Sequence, residues 1–356
     1  MYTRHFTQPL AAALAASALA LATQTPAFAA DAATDTRVGM THLSVPDSNG
    51  ERALTGWVWY PTASDAPEAR VLGNPVWAPV DAVENATPAR GAHPVLLVSH
   101  GMYGNTRNQA WLARRLAQRG YLVAAVNHPG STTRDRRPSE SRKLWERPRD
   151  LSRLLDALLE APEWRNHVDA DRVAAAGHSL GGLTVMRLAG ALGDNARHRQ
   201  LCAADPGHVD CQALAQLNIG HVEDTARLAM SNRDPRVRAV VSMDLGGTQS
   251  LDQASLEAIS VPVLVMGASR GEQLDQARES RALAARLPAG VRHRFDLPDV
   301  GHFDYLGVCT DIGLAILRDE EPEDAVVCER GTAERDAKHT AFAEAIDAFL
   351  TDALAR

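Results

Sequence analysis

Gly177-His178-Ser179-Leu180-Gly181 carries the clearest chemistry in the chain: a serine framed by glycines, the pattern of a nucleophile elbow. Upstream, Asp169-Ala170-Asp171 reads as a turn and Arg172 to Ala176 as a short buried strand. Downstream, Leu180 to Leu188 reads as a helix that starts on small residues. A turn this tight between strand and helix lifts the serine Oγ clear of a sheet. The helix N-terminus behind it favours developing negative charge. The pentapeptide alone is common by chance. The strand before it and the helix after it make Ser179 a candidate nucleophile for acyl transfer.

Such a serine needs two backbone N–H donors, a base and an acid. Pro94 to Ser99 is a continuous apolar run, as expected of a strand buried on both faces. It opens into Gly101-Met102-Tyr103-Gly104-Asn105, with a helix expected from Arg107 to Gln118. The expected oxyanion donors are therefore the amides of Met102 and Leu180. Among the 13 histidines, His302 alone lies in a Gly-flanked loop after the last strand, in the chain order serine, acid, histidine. His5, His198 and His339 read as solvated or structural. The acid has two candidates. Asp244 ends the strand Val237–Met243 and is followed by Gly246-Gly247. Glu272 follows the next strand, Pro262–Gly267, in a turn where Arg270 puts a cation. Asp244 is the expected acid, with Glu272 as the alternative.

The elements that must carry these residues alternate in type. A hairpin (Arg37 to Val45, Ala53 to Tyr60) precedes strands near 94–99, 121–126, 172–177, 237–243, 262–267 and 292–297, with helices between them. That pattern predicts an α/β protein with a mostly parallel eight-stranded sheet flanked by helices. Residues 62–92, rich in Pro, Ala and Asn, are expected to loop over the sheet edge. Residues 194–234 and 306–333 are expected as small cap-like insertions. Ile219, Val222, Leu228 and Met230 would give the first cap an apolar underside, or else join the core. Arg134 to Lys143 mixes basic residues with acids and prolines and reads as a solvated loop, with a lid as the alternative.

The series SHGMYGN, WERPRDLSRLLDALL, GHSLGG, a strand ending in Asp244, and GHFDY resembles the bacterial relatives of plasma-type platelet-activating factor acetylhydrolases. These belong to the α/β-hydrolase superfamily and are often described as predicted dienelactone hydrolases. The resemblance covers roughly residues 38–350. It implies an acid after the sixth strand, matching Asp244, and oxyanion donors at Met102 and Leu180. It implies calcium-independent hydrolysis of carboxylic esters with short or modest acyl groups. True dienelactone hydrolases use a cysteine nucleophile, so that activity does not carry over to Ser179.

Composition agrees. A chain of 356 residues with 45% hydrophobic content can bury one large core, giving a single catalytic domain over 30–356. A net charge of −7 argues against nucleic acid as a partner. Arg4, an Ala/Leu-rich run from Leu10 to Ala22 and Ala27-Phe28-Ala29 predict a cleavable signal peptide over 1–29, hence a periplasmic or secreted protein. The apolar run is short for a membrane span. In an exported protein Cys202, Cys211, Cys309 and Cys328 are expected as disulfides, with proximity favouring 202–211 and 309–328. Metal binding at Cys202, His208 and Cys211 is the competing reading, and its spacing lacks a C-x-x-C pair. No metal and no cofactor is expected. The partner expected is a small-molecule or lipid-like ester. A peptidase or amidase on the same residues is the alternative, and a non-catalytic binding protein on the same scaffold is the third reading.

Overall fold

Val95 to Val98 lie fully inside the protein because the sheet they belong to is covered on both faces. The structure is a computed structural model that describes Met1, residues 36–47, Gly50 and residues 52–355. The export segment expected over 1–29 falls, Met1 apart, outside the described residues. The strands are β1 (Arg37–Val45), β2 (Leu54–Thr62), β3 (Ala69–Val71), β4 (Val80–Glu84), β5 (His93–Ser99), β6 (Leu122–Val126), β7 (Val168–His178), β8 (Val237–Met243), β9 (Val263–Met266) and β10 (Arg292–Phe295). They form one sheet in the order β10-β9-β8-β7-β5-β6-β2-β1-β4-β3. From β5 to β10 all pairings are parallel, and β2 joins β6 antiparallel.

The eight expected strands are present, and two short ones extend the edge. Residues 62–92 supply β3 and β4 instead of a plain loop: β4 runs parallel to β1 and β3 pairs back on β4. Val71 and Ala82 bury their side chains on one face of the sheet and Val83 on the other, apolar stretches too short and too interrupted by proline to register as strand pattern. The turn read at Asp169–Asp171 is a bulge within β7. Val168 already pairs with His93, and pairing resumes only at Val95 with Val173.

The helices are α1 (Ala110–Ala117), α2 (Pro138–Ser141), α3 (Glu146–Glu160), α4 (Leu180–Ala189), α5 (Asn195–Ala204), α6 (Val209–Gln216), α7 (Thr225–Leu228), α8 (Gln253–Glu257), α9 (Ser280–Arg286), α10 (Gly313–Glu320) and α11 (Thr332–Leu354). Leu151, Leu154, Leu155 and Leu158 of α3 and Val185, Met186 and Leu188 of α4 pack one face of the sheet. Trp111, Leu112 and Leu116 of α1 and Phe342, Ile346 and Leu350 of α11 pack the other. The i, i+3, i+4 spacing of Leu151, Leu154, Leu155 and Leu158 is why α3 turns one stripe inward, whereas α4 is buried all round. α1 is shorter than expected because residues 106–109 are spent on turns. Among the described residues no helix is long and apolar enough to cross a membrane.

The cap residues divide. Leu228 is buried and Ile219 packs on the core, whereas Val222 and Met230 face outward. Cys202 is joined to Cys211, and Cys309 to Cys328. The basic stretch is a structured strap: Thr133 Oγ1 donates to the Tyr103 carbonyl (2.8 Å), and the Arg136 guanidinium stacks over the Tyr103 ring (4.8 Å).

Candidate active site

Chain direction across the sheet reverses at β5, which lies between β6 and β7. A crevice outside the carboxyl ends of parallel strands at such a point is where α/β sheets bind ligands. Ser179 sits there, directly after β7, with φ 54° and ψ −122°, a backbone conformation a serine adopts only under constraint. The constraint is visible in its neighbours. A Cβ on Gly177 would lie 2.1 Å from the Gly181 carbonyl oxygen, and one on Gly181 would lie 2.0 Å from that of Ser99. Only glycine permits strand, turn and helix to approach so closely. The Ser179 amide donates to the Met243 carbonyl (2.9 Å), fixing the turn to the end of β8. Ser179 remains partly exposed, so its hydroxyl is within reach of a substrate.

Asp244 follows β8, also at positive φ (42°), and is fully buried. Its Oδ2 accepts from His302 Nδ1 at 2.6 Å. Its Oδ1 accepts from the Ala268 amide (2.9 Å) and Gln276 Nε2 (2.7 Å), with Ser280 Oγ at 3.5 Å. Burial alone would raise the Asp244 pKa. The hydrogen bond and charge of His302, then the Ala268 and Gln276 bonds, outweigh it and hold the carboxyl below its ordinary value. A carboxylate only accepts, so Nδ1 of His302 donates to Asp244, and in the neutral ring Nε2 is the nitrogen left to accept. Glu272 comes near the histidine loop, with Oε2 3.6 Å from where a Cβ on Gly301 would sit. It is half exposed, however, and accepts from Arg270 Nε at 2.7 Å, while the bond to His302 Nδ1 is made by Asp244.

His178 ties the serine turn to the histidine loop. Its Nε2 donates to the His302 carbonyl (2.9 Å), and the two rings lie 4.5 Å apart. Burial, then the His302 charge, lowers its pKa to about 3, so it stays neutral. His302 opens a short 3-10 turn, His302–Tyr305, that α11 grips from behind. Asp304 Oδ2 accepts from the Gly301 amide (2.8 Å) and from Lys338 Nζ (3.0 Å), and His339 Nε2 donates to the Asp304 carbonyl (3.0 Å). His339 also stacks on Trp111 with centroids 3.8 Å apart. His339 is thus structural, as expected.

Met102 sits in the turn after β5, and Leu180 is the first residue of α4, where a helix leaves its amides without intrahelical partners. A Cβ on Gly101 would lie 3.3 Å from Ser179 Cβ, so the turn after β5 borders the serine. A serine hydroxyl, a histidine whose Nδ1 is held by a buried carboxylate, and two strand-end turns carrying amides can together perform nucleophilic acyl transfer.

Residues that hold this arrangement left little trace in the sequence. Gln276 and Ser280 reach Asp244 from a loop and helix more than 30 positions away. Behind β5, Arg147, His128 and Asp150 form a buried network that local pattern does not announce. A polar run inside an amphipathic helix, Arg147 and Asp150 among leucines, is the one available signal.

A family model for the alpha/beta hydrolase fold matches residues 94–218, which carry the Met102 turn and the Ser179 elbow and end before Asp244. A ferulic acid esterase from Streptomyces cinnamoneus superposes with a TM-score of 0.61 over 90% of this chain and 91% of its own, at 23% identity. The fold is that of the α/β-hydrolases. Within this α/β-hydrolase fold, cutinase est1 of Thermobifida alba is 36% identical over 96 residues, 26% of this chain and 29% of the cutinase. Cutinase 2 of Thermobifida cellulosilytica is 33% identical over 94 residues, 26% of this chain and 32% of the cutinase. The matched stretch thus spans under a third of either cutinase.

Proposed function

We propose that this protein is a serine hydrolase that cleaves carboxylic esters through an acyl-enzyme. The observation that carries the reading is the 2.6 Å contact between buried Asp244 and His302, next to a serine held at positive φ on a glycine-framed turn. In this reading His302 Nε2 takes the Ser179 proton as Oγ attacks the ester carbonyl. Asp244 fixes the tautomer and stabilises the imidazolium. The Met102 and Leu180 amides receive the oxyanion. His302 then protonates the leaving alcohol, and the acyl group on Ser179 is released by a water that His302 deprotonates.

The names of the similar proteins, cutinases and a ferulic acid esterase, support esters as the substrate class. The resemblance to acetylhydrolases adds short or modest acyl groups to the reading. Residues 30–356 form the catalytic domain, with 194–234 and 306–333 as caps. Export is part of the same reading. It is supported by the signal-like sequence over 1–29 and by the disulfide partners 202–211 and 309–328.

Labelling with a fluorophosphonate, followed by peptide mapping and parallel assays on p-nitrophenyl esters and p-nitroanilide peptides, tests the function. A single adduct on Ser179 with turnover of the esters alone is expected. An unlabelled Ser179, or preferential anilide cleavage, would overturn it.

A further inference from the structure

Arg147 stands in α3 with its side chain wholly buried, and nothing in the proposed chemistry uses it. Its guanidinium spends its donors on segments that meet at the candidate oxyanion site. Nη2 donates to the His100 carbonyl, one peptide before Gly101-Met102, and lies 3.4 Å from Ser99 Oγ. Nε donates to Thr184 Oγ1 (3.0 Å), and that hydroxyl donates to the Leu180 carbonyl (3.0 Å). Nη1 donates to Ser131 Oγ (2.8 Å), on the loop after β6. One rigid fork therefore holds the segment that carries the Met102 amide directly and the one that carries the Leu180 amide through Thr184.

The surroundings fix that fork in turn. Asp150 Oδ2 accepts from His128 Nδ1 (2.9 Å), which leaves His128 Nε2 to accept from Ser99 Oγ (2.9 Å). The His128 amide donates to His100 Nε2 (3.1 Å), so His100 Nδ1 donates to the Gly101 carbonyl (2.8 Å). Asp150 also receives Arg52 through paired 2.8 Å bonds. Each member has its hydrogen-bond role dictated by the next, which leaves the end of β5 a single arrangement.

We infer that Arg147 is a positioning residue for the oxyanion site, setting the spacing between the Met102 and Leu180 amides through the His100 carbonyl and Thr184. A planar, five-donor group suits this; an ammonium cannot reach all of these acceptors at once. Preorganised amides act on the charge that develops in the transition state, so their misplacement lowers kcat more than it raises KM. The inference rests on the serine-hydrolase reading given above.

The test compares Arg147→Lys and Thr184→Val with wild type on a p-nitrophenyl ester, with active sites counted by fluorophosphonate titration. Inhibition by a boronic acid, which forms a tetrahedral adduct on serine, is measured alongside. Arg147→Lys should lower kcat per titrated site by about 10- to 100-fold, with KM within about twofold. Boronic acid affinity should fall by a comparable factor, because it follows transition-state stabilisation. Thr184→Val should move both in the same direction by about 3- to 10-fold, and Thr184→Ser should restore them. If Arg147→Lys does not fold, Thr184→Val decides. A kcat per site within twofold of wild type, or a fall in kcat without a fall in boronic acid affinity, would overturn the inference and leave the function standing. A wild-type enzyme that neither turns over the ester nor takes the label at Ser179 would overturn the function itself.

Discussion

Asp244 combines two properties that rarely coincide: complete burial and a pKa held below its ordinary value. Three sources of hydrogen bonds produce this, and the proposed chemistry uses only the one from His302. Asp244→Asn keeps the shape of the site, and its amide favours the wrong histidine tautomer. It should lower kcat by about 10²–10⁴-fold while the thermal midpoint stays near wild type. Glu272→Gln, which weakens a surface pair with Arg270, should leave kcat within about twofold. Steady-state kinetics on the two variants check both, and the reverse pattern would move the acid to Glu272. The positions that meet here, 179, 244 and 302, were legible because a turn motif and strand ends constrain them locally. Gln276, Arg147 and Lys338 were not, since their roles exist only through contacts between distant segments.

At the scale of elements, the strands that carry the site were readable because burial on both faces gives continuous apolar runs such as Val95–Val98. β3 and β4 escaped because strands of three and five residues bury only Val71, Ala82 and Val83, too few to make a pattern. Which of Ile219, Val222, Leu228 and Met230 face inward was not legible, since all four are equally apolar and only packing separates them. The Cys309–Cys328 bond ties the segment after the His302 loop to the start of α11 across 19 positions. Closing a loop of that size should contribute about 2–4 kcal/mol, chiefly by restricting the unfolded chain. The double variant Cys309→Ser/Cys328→Ser should therefore unfold at lower urea, with a slope at least as steep, because the freed unfolded chain exposes more surface. A midpoint equal to that of wild type would show that the bond adds nothing. Gly181→Ala presses a methyl into the Ser99 carbonyl and should lose about 1–3 kcal/mol by the same measurement. An unchanged midpoint would mean that the elbow relaxes freely.

The whole molecule has an acid sensitivity that follows from its buried histidines. Burial lowers His178 and His339 from an ordinary 6.5 to about 3. Between those values the unfolded chain binds protons that the native protein refuses, so stability falls as pH drops below about 6.5. Each of the two should contribute about 1.4 kcal/mol per pH unit in that window. Asp150, whose pKa burial raises, works in the opposite sense at the acid end. Urea midpoints measured from pH 7 to pH 4 should decline throughout, and a flat profile would contradict the neutral, buried state of these rings. The central claim, however, is that one serine at a sheet's carboxyl edge forms the acyl-enzyme, and a single comparison reaches it most directly. In a p-nitrophenyl ester assay, purified Ser179→Ala should show a kcat at least ~10³-fold below wild type with the fold intact. Turnover within about tenfold of wild type would contradict it.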